Sequence, residues 1–466
     1  MMTETKLFCS CSTAFGAPPN THVCPVCLGL PGVLPVLNRR AVELALMAAL
    51  ALHCEITPQE RFDRKNYFYP DLPKAYQITQ WDLPIGKNGY LEITTDEGIK
   101  RIGITRIHIE EDAGKLNHGV GGYSLVDYNR VGVPLIEIVS EPDLRSPREA
   151  QLYLEKLRSI MVYAGISDAR MEEGSLRCDA NISLRPLGSS VLGKRAEIKN
   201  VNSFRGVVRA LEYEQQRQAE ALQNGEVLHQ ETRRWDEDRG MTFSMRSKEE
   251  ANDYRYFPEP DLVQLVIEDA MIAAAHAALP ELPDAKQKRY IETFGLSAYD
   301  ASVLTASKQT AAYFEAAVAA FPKDPKAVAN WVMGDFSRKL NEAGLTADQA
   351  PLTPEQLAEI PALIDEGTLS SKMAKELFEK AWAKGASPRR IAQEEGMTQI
   401  TDLSQLIDLA RRVVAGNPKA VADVRAGKQK AMGALVGQMM KETKGRANPT
   451  LVHEALQQAI EEQTEG

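Results

Sequence analysis

The stretch RIGITRIHIEEDAGK, from Arg101 to Lys115, indicates how the first half of this chain folds. At its centre, Ile107 and Ile109 alternate with His108 and Glu110. Because successive side chains of a strand point to opposite faces, this period of two predicts a β-strand with one apolar and one polar face. Alternations of this kind, mixed with helical patterns, continue to about residue 265 and predict an α+β region.

Acidic residues stand at the end of that strand and inside a second one. Glu111 and Asp112 follow directly after Glu110. Glu137 lies inside the apolar run PLIEIVSEPD, residues 134–143. A carboxylate in an apolar strand costs several kcal/mol unless a cation or donor meets it, so we expect Glu137 to be buried and partnered. Acids on neighbouring strands predict an oxygen-rich pocket for Mg²⁺, although a solvated turn is the alternative for residues 110–112.

The stretch GSLRCDANISLRP, residues 174–186, predicts another strand with two unlike faces. One face would carry Leu176, Cys178, Ala180, Ile182 and Leu184, and the other Ser175, Arg177, Asp179, Asn181 and Ser183. A row of short hydrogen-bonding side chains favours the wall of a binding site, with a merely solvated strand as the alternative.

Two further stretches place charged groups beside this region. RAEIKNVNSF sets Glu197 and Lys199 on one strand face before Ser203, which we expect to cap a long amphipathic helix. In FDRKNYFYPDLPKAYQ, Arg64 and Lys65 precede the aromatic residues of the segment YFY. Basic groups among aromatic rings suit the phosphates and base of a nucleotide, and an aromatic core cluster with solvated ends is the alternative.

Four of the six cysteines lie within nineteen residues, in CSCSTAFGAPPNTHVCPVC. Their spacing, a C-x-C pair followed by a C-x-x-C knuckle, predicts a four-thiolate zinc site made by Cys9, Cys11, Cys24 and Cys27. Cysteines alternating on a strand are the alternative for the first pair. We interpret His22 as a bystander, and Cys54 and Cys178 as core thiols.

Composition sets the class of protein. The chain has 466 residues, a net charge of −9, 44% hydrophobic and 26% charged residues. That length predicts about three domains. The longest apolar run, residues 44–52, is too short for a membrane span, and the first residues show no export signal. We therefore expect a cytoplasmic protein with free thiols, not associated with membranes.

Shifts in composition predict three domains: residues 1–285 with the strands and the cysteine knuckle, a helical domain over 286–402, and a tail domain over 403–466. Helices of the second domain should start at Thr353 and at Ser387. From Arg411 to Arg446 nine basic residues stand against two acidic ones, which favours phosphate contacts as much as a solvated helix face. The basic residues placed to meet phosphates are Lys428, Lys430, Lys441, Lys444 and Arg446.

Several familiar motifs are missing. The sequence has no G-x-x-x-x-G-K-[ST], no G-x-G-x-x-G opening a helix and no G-x-S-x-G elbow. An ATP site in this chain would therefore be of neither the P-loop nor the kinase type. The run Ser370-Ser371-Lys372 resembles part of a serine amidase centre, but helix capping explains it better, and we predict no glutaminase activity.

Seven stretches together resemble a known family. They are FDRKNYFYPDLPKAYQITQ, GITRIHIEEDAGK, PLIEIVSEPD, EEGSLRCDANISLRP, AEIKNVNSF, DYRYFPEPDL and GKQKAMGALVGQMMKETKGRANP. In this order, over essentially the whole chain, they closely resemble the B subunit of the tRNA-dependent amidotransferase that makes Gln-tRNA and Asn-tRNA. The resemblance implies an α+β catalytic cradle related in fold to glutamine synthetase, with mainly antiparallel sheet, then a helical domain and a small all-α tail domain that contacts tRNA.

The resemblance also implies a reaction and partners. ATP would phosphorylate the side chain of Glu or Asp mischarged on tRNA, because a carboxylate does not react with ammonia and an acyl phosphate does. Ammonia would arrive through a tunnel from the amidase, or A, subunit, and a small C subunit would complete the heterotrimer. The chain would thus be part of an ATP-dependent carbon–nitrogen ligase with glutamine as amido donor. The implied cofactors are ATP, Mg²⁺ and, as a structural ion near tRNA, Zn²⁺.

Roles for single residues follow from the same resemblance. Glu111 and Glu137, with Glu110 close by, are the implied ligands of Mg²⁺, which cancels phosphate charge. Lys65 is the implied phosphate or site lysine. The catalytic set is then Lys65, Glu111, Glu137 and Asp179, and the ATP-binding set Lys65, Arg177, Asn181 and Lys199.

One departure concerns the start of the chain. The family usually begins with a strand reading Gly-Leu-Glu-Val-His, whose Glu and His help to form the metal site. This chain opens at Met1-Met2-Thr3-Glu4-Thr5-Lys6, just downstream of that position. We therefore expect a shortened form with weak kinase activity, and activity equal to that of an extended form would contradict this.

Two other classes of protein compete with this prediction. One is a zinc-ribbon RNA-binding protein without catalysis, in which acids in apolar strands would have no task. The other is a free-standing ligase of the glutamine synthetase type that uses bulk ammonia and would need no basic tail. ATP hydrolysis dependent on Glu-tRNA would distinguish the amidotransferase from both.

Overall fold

The computed structural model describes residues 1–118, 122–247, 253–397, 400, 402–425, 429–443 and 446–465. They fall into two compact units, Met1–Pro283 and Asp284–Gly466. Within the described ranges, none of the helices combines the length and the apolar character that crossing a membrane requires.

The first unit holds the strands and four long helices. The strands are β1 (Glu55–Ile56), β2 (Gln59–Glu60), β3 (Asp63–Asn66), β4 (Tyr76–Thr79), β5 (Gly86–Thr95), β6 (Gly98–Glu111), β7 (Lys115–His118), β8 (Ser124–Asp127), β9 (Pro134–Ser140), β10 (Ala180–Ile182), β11 (Ala196–Lys199), β12 (Glu231–Asp236), β13 (Met241–Ser247), β14 (Phe257–Pro258) and β15 (Leu265–Val266). The helices are α1 (Arg39–Ala51), α2 (Pro147–Tyr163), α3 (Phe204–Gln223) and α4 (Asp269–Ala278).

Strand β6 is the centre of the main sheet, whose strands follow the order β1-β5-β6-β4-β3-β14, with β9 also paired to β6. All of these pairings are antiparallel. The strand predicted from the alternation of Ile107 with His108 is confirmed. Ile107 and Ile109 are fully buried, and the polar residues His108 and Glu110 are also largely enclosed.

A second, four-stranded sheet has the order β10-β11-β12-β13. Strands β11 and β12 run parallel and the other pairs are antiparallel. The strand predicted over residues 174–186 is shorter than expected, since only Ala180–Ile182 pairs with β11. Its apolar face is nevertheless present, because Leu176, Cys178 and Ile182 pack against the core of the first unit.

Helix α1 supplies much of that core because nearly all of its apolar side chains are buried against β5 and β6. Asn38 caps its first turn by accepting a hydrogen bond from the backbone of Ala41. Helix α2 lies against β5 and α3. Ser203 caps α3, as predicted, by accepting from the backbone N–H of Gly206 at 2.9 Å. The core-thiol prediction for Cys54 is confirmed by its place in this cluster.

The second unit is helical. Its helices are α5 (Pro283–Phe294), α6 (Ala298–Leu304), α7 (Lys308–Ala320), α8 (Pro325–Trp331), α9 (Ser337–Ala343), α10 (Pro354–Asp365), α11 (Ser371–Lys384), α12 (Pro388–Glu394), α13 (Leu403–Gly416), α14 (Pro418–Arg425), α15 (Gln429–Glu442) and α16 (Pro449–Glu465). A π-helical turn, Val332–Phe336, joins α8 to α9.

Two hydrophobic clusters stabilise this unit, one formed between Tyr290 and Met397 and the other between Leu406 and Ile460. The predicted helix starts are confirmed: Thr353 caps α10 and Ser387 caps α12. Ser370 caps α11, which agrees with its interpretation as a helix start rather than an amidase fragment.

Candidate functional site

Two neighbouring strands bring three polar side chains together on one face of the main sheet. The antiparallel register sets His108 of β6 opposite Glu137 of β9. Glu110 lies two residues beyond His108 and therefore points to the same face. Nε2 of His108 lies 3.4 Å from Oε2 of Glu137 and 3.6 Å from Oε2 of Glu110. The three residues, here called the His108 group, offer ligand atoms that all lie within 4.8 Å of one another.

The group is closed on one side and open on the other. The side chain of His108 is 3% exposed, and Glu110 is buried and accepts a hydrogen bond from Thr79 at 3.2 Å. The side chain of Glu137 is 51% exposed, so the prediction that it is buried is wrong. Strand β9 pairs only with β6 among the strands that the structure describes, and this leaves Glu137 at an accessible position.

The acids of the group favour the protonated form of its histidine. Burial alone would lower the pKa of His108, but its close contacts with the carboxylates of Glu110 and Glu137 outweigh that effect and raise the pKa above its ordinary value. The contact with His108 lowers the pKa of Glu137, and the charges of Lys65 and Arg106 lower it further. Nδ1 of His108 is buried without a hydrogen-bond partner, so the ring faces the acids through Nε2.

The structure does not bring Glu111 to this group. Glu111 follows Glu110 in the same strand and therefore points to the opposite face. It forms a salt bridge with Lys74, and its carboxylate accepts the backbone N–H of Ile78 at 3.0 Å. The expectation that Glu110 and Glu111 bind one ion together with Glu137 is therefore corrected, because the pleat of the strand separates the two neighbours.

Cations and aromatic rings flank the His108 group. Nζ of Lys65 lies 5.1 Å from the ring centre of Tyr254, and the guanidinium of Arg106 lies 4.9 Å from that of Trp81. Trp81 in turn stacks on Tyr256 with ring centres 4.3 Å apart. Both cations lie close enough to Glu137 to lower its pKa, so two positive charges accompany the exposed carboxylate of the group.

Arg64, predicted together with Lys65 as a phosphate contact, is occupied by another partner. Its guanidinium binds both oxygens of Glu259, at 2.7 and 2.8 Å, and the carboxylate is buried. Of the two neighbouring cations, Lys65 is therefore the one that remains beside Glu137.

The residues of the predicted site wall form ion pairs of their own. Asp179 contacts Lys199 at 2.7 Å, and Lys199 also contacts Glu197 at 3.2 Å. Arg177 binds Asp112 at 2.7 Å. Asn181 lies exposed on β10. Asp179 is not among the residues that gather around His108. Its predicted role as part of the site wall stays a prediction.

The four clustered cysteines gather as their spacing predicts. The sulfur atoms of Cys9, Cys11, Cys24 and Cys27 all lie within 4.8 Å of one another. Four sulfurs at such separations match a tetrahedral ion with bonds of about 2.3 Å, so the donor set fits Zn²⁺. The neighbouring thiol of Cys9, with the backbone of Cys24 and the charge of Lys6, lowers the pKa of Cys27 to about 4. His22 is not a member of this group.

Part of the predicted basic tail can be placed. Lys430, Lys441 and Arg446 are exposed, whereas Lys428 and Lys444 lie outside the described residues. Arg411 is engaged by Glu462 at 2.8 Å and by Asp408 at 2.9 Å. The exposed cations of α15 therefore remain candidates for phosphate contacts.

Several members of the site do not follow from the sequence patterns. Alternation places His108 on the polar face of β6 without giving it a role, and no pattern singles out Arg106 or Trp81. Tyr254 and Tyr256 belong to DYRYFPEPDL, a stretch that carries only the family resemblance. The alternation of His108 with Glu110 was the signal that could have paired the two as ligands.

Comparison with known proteins gives the family. Residues 1–273 match the GatB/GatE catalytic domain, and residues 312–460 match the GatB domain. The B subunit of the aspartyl/glutamyl-tRNA(Asn/Gln) amidotransferase of Carboxydothermus hydrogenoformans is 58% identical over 464 residues, which cover 99% of this chain and 96% of that protein.

The proteins of the same name from Moorella thermoacetica and Brevibacillus brevis are 58% identical over 463 residues and 55% identical over 461 residues. They are matched over 97% and 96% of their lengths, and each match covers 99% of this chain. Two family models in the expected order and full-length identity above one half leave one conclusion: the chain belongs to the GatB family, whose members are subunits of amidotransferases of the carbon–nitrogen ligase class.

Proposed function

We propose that this chain is the subunit that activates Glu or Asp mischarged on tRNA(Gln) or tRNA(Asn) and converts it to Gln or Asn. The observation that carries the proposal is the His108 group, with Glu137 half exposed and within electrostatic reach of Lys65 and Arg106. A cluster of acids beside cations and aromatic rings suits a divalent ion and the phosphates of ATP. The names of the relatives supply the substrate class.

The reaction has two steps. An oxygen of the substrate side-chain carboxylate attacks the γ-phosphorus of ATP, and ADP leaves. Ammonia then attacks the carbonyl carbon of the acyl phosphate, inorganic phosphate leaves, and a proton of the ammonia is lost. The first step joins two anions, so the positive charges of Lys65 and Arg106 would lower its barrier by binding phosphate oxygens.

The His108 group fits a divalent cation such as Mg²⁺, which would neutralise phosphate charge when bound. Glu137 and Glu110 would supply oxygen ligands, and His108 would supply Nε2 in its neutral form, because the cation would replace the proton there. Thr79 holds Glu110 by a hydrogen bond at 3.2 Å, which fixes the buried acid of the group in place. Since the ring of His108 is enclosed, the open position for substrate lies on the side of Glu137.

Other parts of the chain would serve the same reaction. The first unit would be a cradle of the glutamine synthetase type. The cysteine cluster in that unit would hold a structural Zn²⁺. The exposed cations of α15 would contact tRNA. Arg177, Asn181 and Lys199 would line the ATP side of the cradle. Ammonia would come from the amidase, or A, subunit, with a small C subunit completing a cytoplasmic heterotrimer. We propose that the tail domain starts at residue 403, after a helical domain from 286.

The test is ATP hydrolysis by the chain assembled with its amidase and small subunits. We expect ADP to form only when Glu-tRNA(Gln) or Asp-tRNA(Asn) is present. Glu137→Gln should lower that rate by at least about a hundredfold, because it removes a charged ligand of the phosphate-neutralising ion. Glu141→Gln is the matched control, since Glu141 follows the same strand but hydrogen-bonds to Thr105.

Other outcomes would point to other functions. Hydrolysis with free glutamate and no tRNA would indicate a free-standing ligase, and RNA binding without hydrolysis would indicate a binding protein. Equal rates for Glu137→Gln and the parent chain would show that the His108 group is not the phosphoryl-transfer site.

A further inference from the structure

A lysine is buried beside the four cysteines. Lys6 is 1% exposed and is among the largest fully buried side chains of the described residues. Its Nζ donates to the carbonyl oxygen of His22 at 2.7 Å and to that of Tyr128 at 3.4 Å. It also lies 3.6 Å from the sulfur of Cys27.

The ammonium has no carboxylate partner in the described part of the chain. The salt bridges found there pair no Asp or Glu with Lys6. Glu111 lines the same cavity as Lys6, but its carboxylate forms a salt bridge with Lys74. A buried ammonium that meets only carbonyl dipoles costs several kcal/mol, so an anionic partner is needed to offset its desolvation.

The cysteine cluster can supply that partner. Four thiolates around a divalent ion carry a net charge of −2, and Cys27 is the member in contact with Lys6. A cation at 3.6 Å from the sulfur of Cys27, the buried member, changes the net charge of the metal–thiolate assembly from −2 to −1. Both charges are more stable together than either would be alone, because their attraction offsets part of the cost of desolvating them.

We propose that Lys6 is a counter-ion built into the four-cysteine metal site, and that it strengthens the retention of a divalent metal by four thiolates. The proposal rests on the zinc site of the proposed function. Lys6 acts through the charge of the cluster and is not itself a ligand. The alternative is a purely structural lysine that joins the N-terminal segment to the carbonyls of residues 22 and 128.

The test uses Co²⁺ as the probe metal on the full-length chain, with binding followed by the sulfur-to-cobalt absorption band in competition with a chelator. We expect Lys6→Met to weaken Co²⁺ binding by about 10- to 100-fold, the range typical of residues that support metal ligands. Lys6→Arg keeps the positive charge and should lose much less Co²⁺ affinity than Lys6→Met. Lys74→Met is the matched control, because Lys74 lines the same cavity but binds Glu111. Because it removes a cation from the same cavity and leaves Lys6 in place, it should lose less Co²⁺ affinity than Lys6→Met.

A second background separates charge from structure. Cys11→His replaces a thiolate that Lys6 does not contact by a neutral ligand, so the cluster carries one negative charge less. In that background the effect of Lys6→Met on Co²⁺ affinity should shrink by at least about threefold. Folding of Lys6→Met only when combined with Cys11→His would support the proposal as well.

Three results would overturn the proposal: unchanged Co²⁺ affinity in Lys6→Met, an equal loss of affinity in both backgrounds, or failure of Lys6→Met to fold in both. The zinc site itself is tested separately, by elemental analysis of the purified parent chain. One equivalent of zinc with unchanged affinity in Lys6→Met would refute the role of Lys6 and leave the zinc site intact.

Discussion

At the scale of single residues, burial decides which ionisable groups behave unusually. Glu60 is fully buried and accepts one hydrogen bond, from Gln80 at 2.7 Å, while its other oxygen has no hydrogen-bond partner. Desolvation raises the pKa of Glu60 from its ordinary value of 4.5 to about 8. The folded protein therefore keeps this side chain protonated at neutral pH. The residues next to Glu60 in the sequence give no sign of this.

This pKa predicts a pH-dependent stability. Because the folded state binds the proton more tightly than the unfolded state, the contribution of Glu60 to stability falls as pH rises from about 4.5 to about 8. Glu60→Gln keeps the uncharged form at every pH. Between pH 6 and pH 8.5 the variant should gain about 2 kcal/mol relative to the parent chain, measured by urea unfolding. A difference that does not change with pH would contradict the raised pKa.

Gly29 in the cysteine knuckle makes a second residue-scale prediction. Its φ is +66°, and a Cβ added there would lie 2.3 Å from Cγ of Lys74. Gly29→Ala therefore combines backbone strain with a clash and should destabilise the first unit by about 2–3 kcal/mol in urea unfolding.

The control for Gly29 is Gly16→Ala. Gly16 also has a positive φ, +86°, but no atom lies within 4 Å of an added Cβ. Gly16→Ala should be destabilised by backbone strain alone, which costs about 1 kcal/mol in the free energy of unfolding. Equal losses for both variants would show that the contact between the knuckle and Lys74 adds nothing.

At the scale of elements, a buried ion network fixes helix α3 on the second sheet. Glu214 of α3 is fully buried, lies 2.8 Å from both Arg217 and Arg233, and accepts a hydrogen bond from Thr242. Despite its burial, these partners lower the pKa of Glu214 below the ordinary value. One carboxylate therefore links a helix to β12 and β13, in addition to their apolar contacts.

Removing this carboxylate should loosen the helix. Glu214→Ala removes one of the two carboxylates that contact the guanidinium of Arg233, which keeps Glu231 at 2.8 Å. The loss of this buried partner should destabilise the α3–β12–β13 region by about 2–3 kcal/mol. Hydrogen exchange followed by mass spectrometry would show faster exchange in these elements. Glu220→Ala, on the exposed side of α3 where the carboxylate of Glu220 accepts from Gln216, should leave the exchange unchanged.

At the scale of the whole molecule, the two units have separate hydrophobic cores. The core of the first unit is built from α1, α2, α3 and the main sheet, and the second unit contains only helical clusters. Division of the chain between them falls at Pro283, where α5 begins. Each unit should therefore hold its fold without the other.

Expression of residues 1–282 and 283–466 as separate chains tests this. We expect the second fragment to show a circular dichroism spectrum dominated by helix and a cooperative thermal transition, because its cores are complete within it. The first fragment should keep a sheet-containing spectrum. Loss of cooperative unfolding in either fragment would show that its core depends on the other unit.

The sequence by itself determined the local patterns of this protein. Alternation predicted β6, cap residues predicted the starts of α3, α10 and α12, and thiol spacing predicted the four-cysteine group, because each depends on residues close together in the chain. The family could likewise be inferred from stretches in their order. Only the tertiary structure decided which acidic side chains contact which histidine, lysine or arginine.

The register of β9 on β6 places Glu137 opposite His108. The pleat of β6 points Glu111 to the other face of the sheet, where it pairs with Lys74. Asp179 pairs with Lys199 instead, and Arg64 pairs with Glu259, which lies almost two hundred residues further along the chain. Such pairings depend on distances set by strand register and packing, which a one-dimensional pattern does not contain.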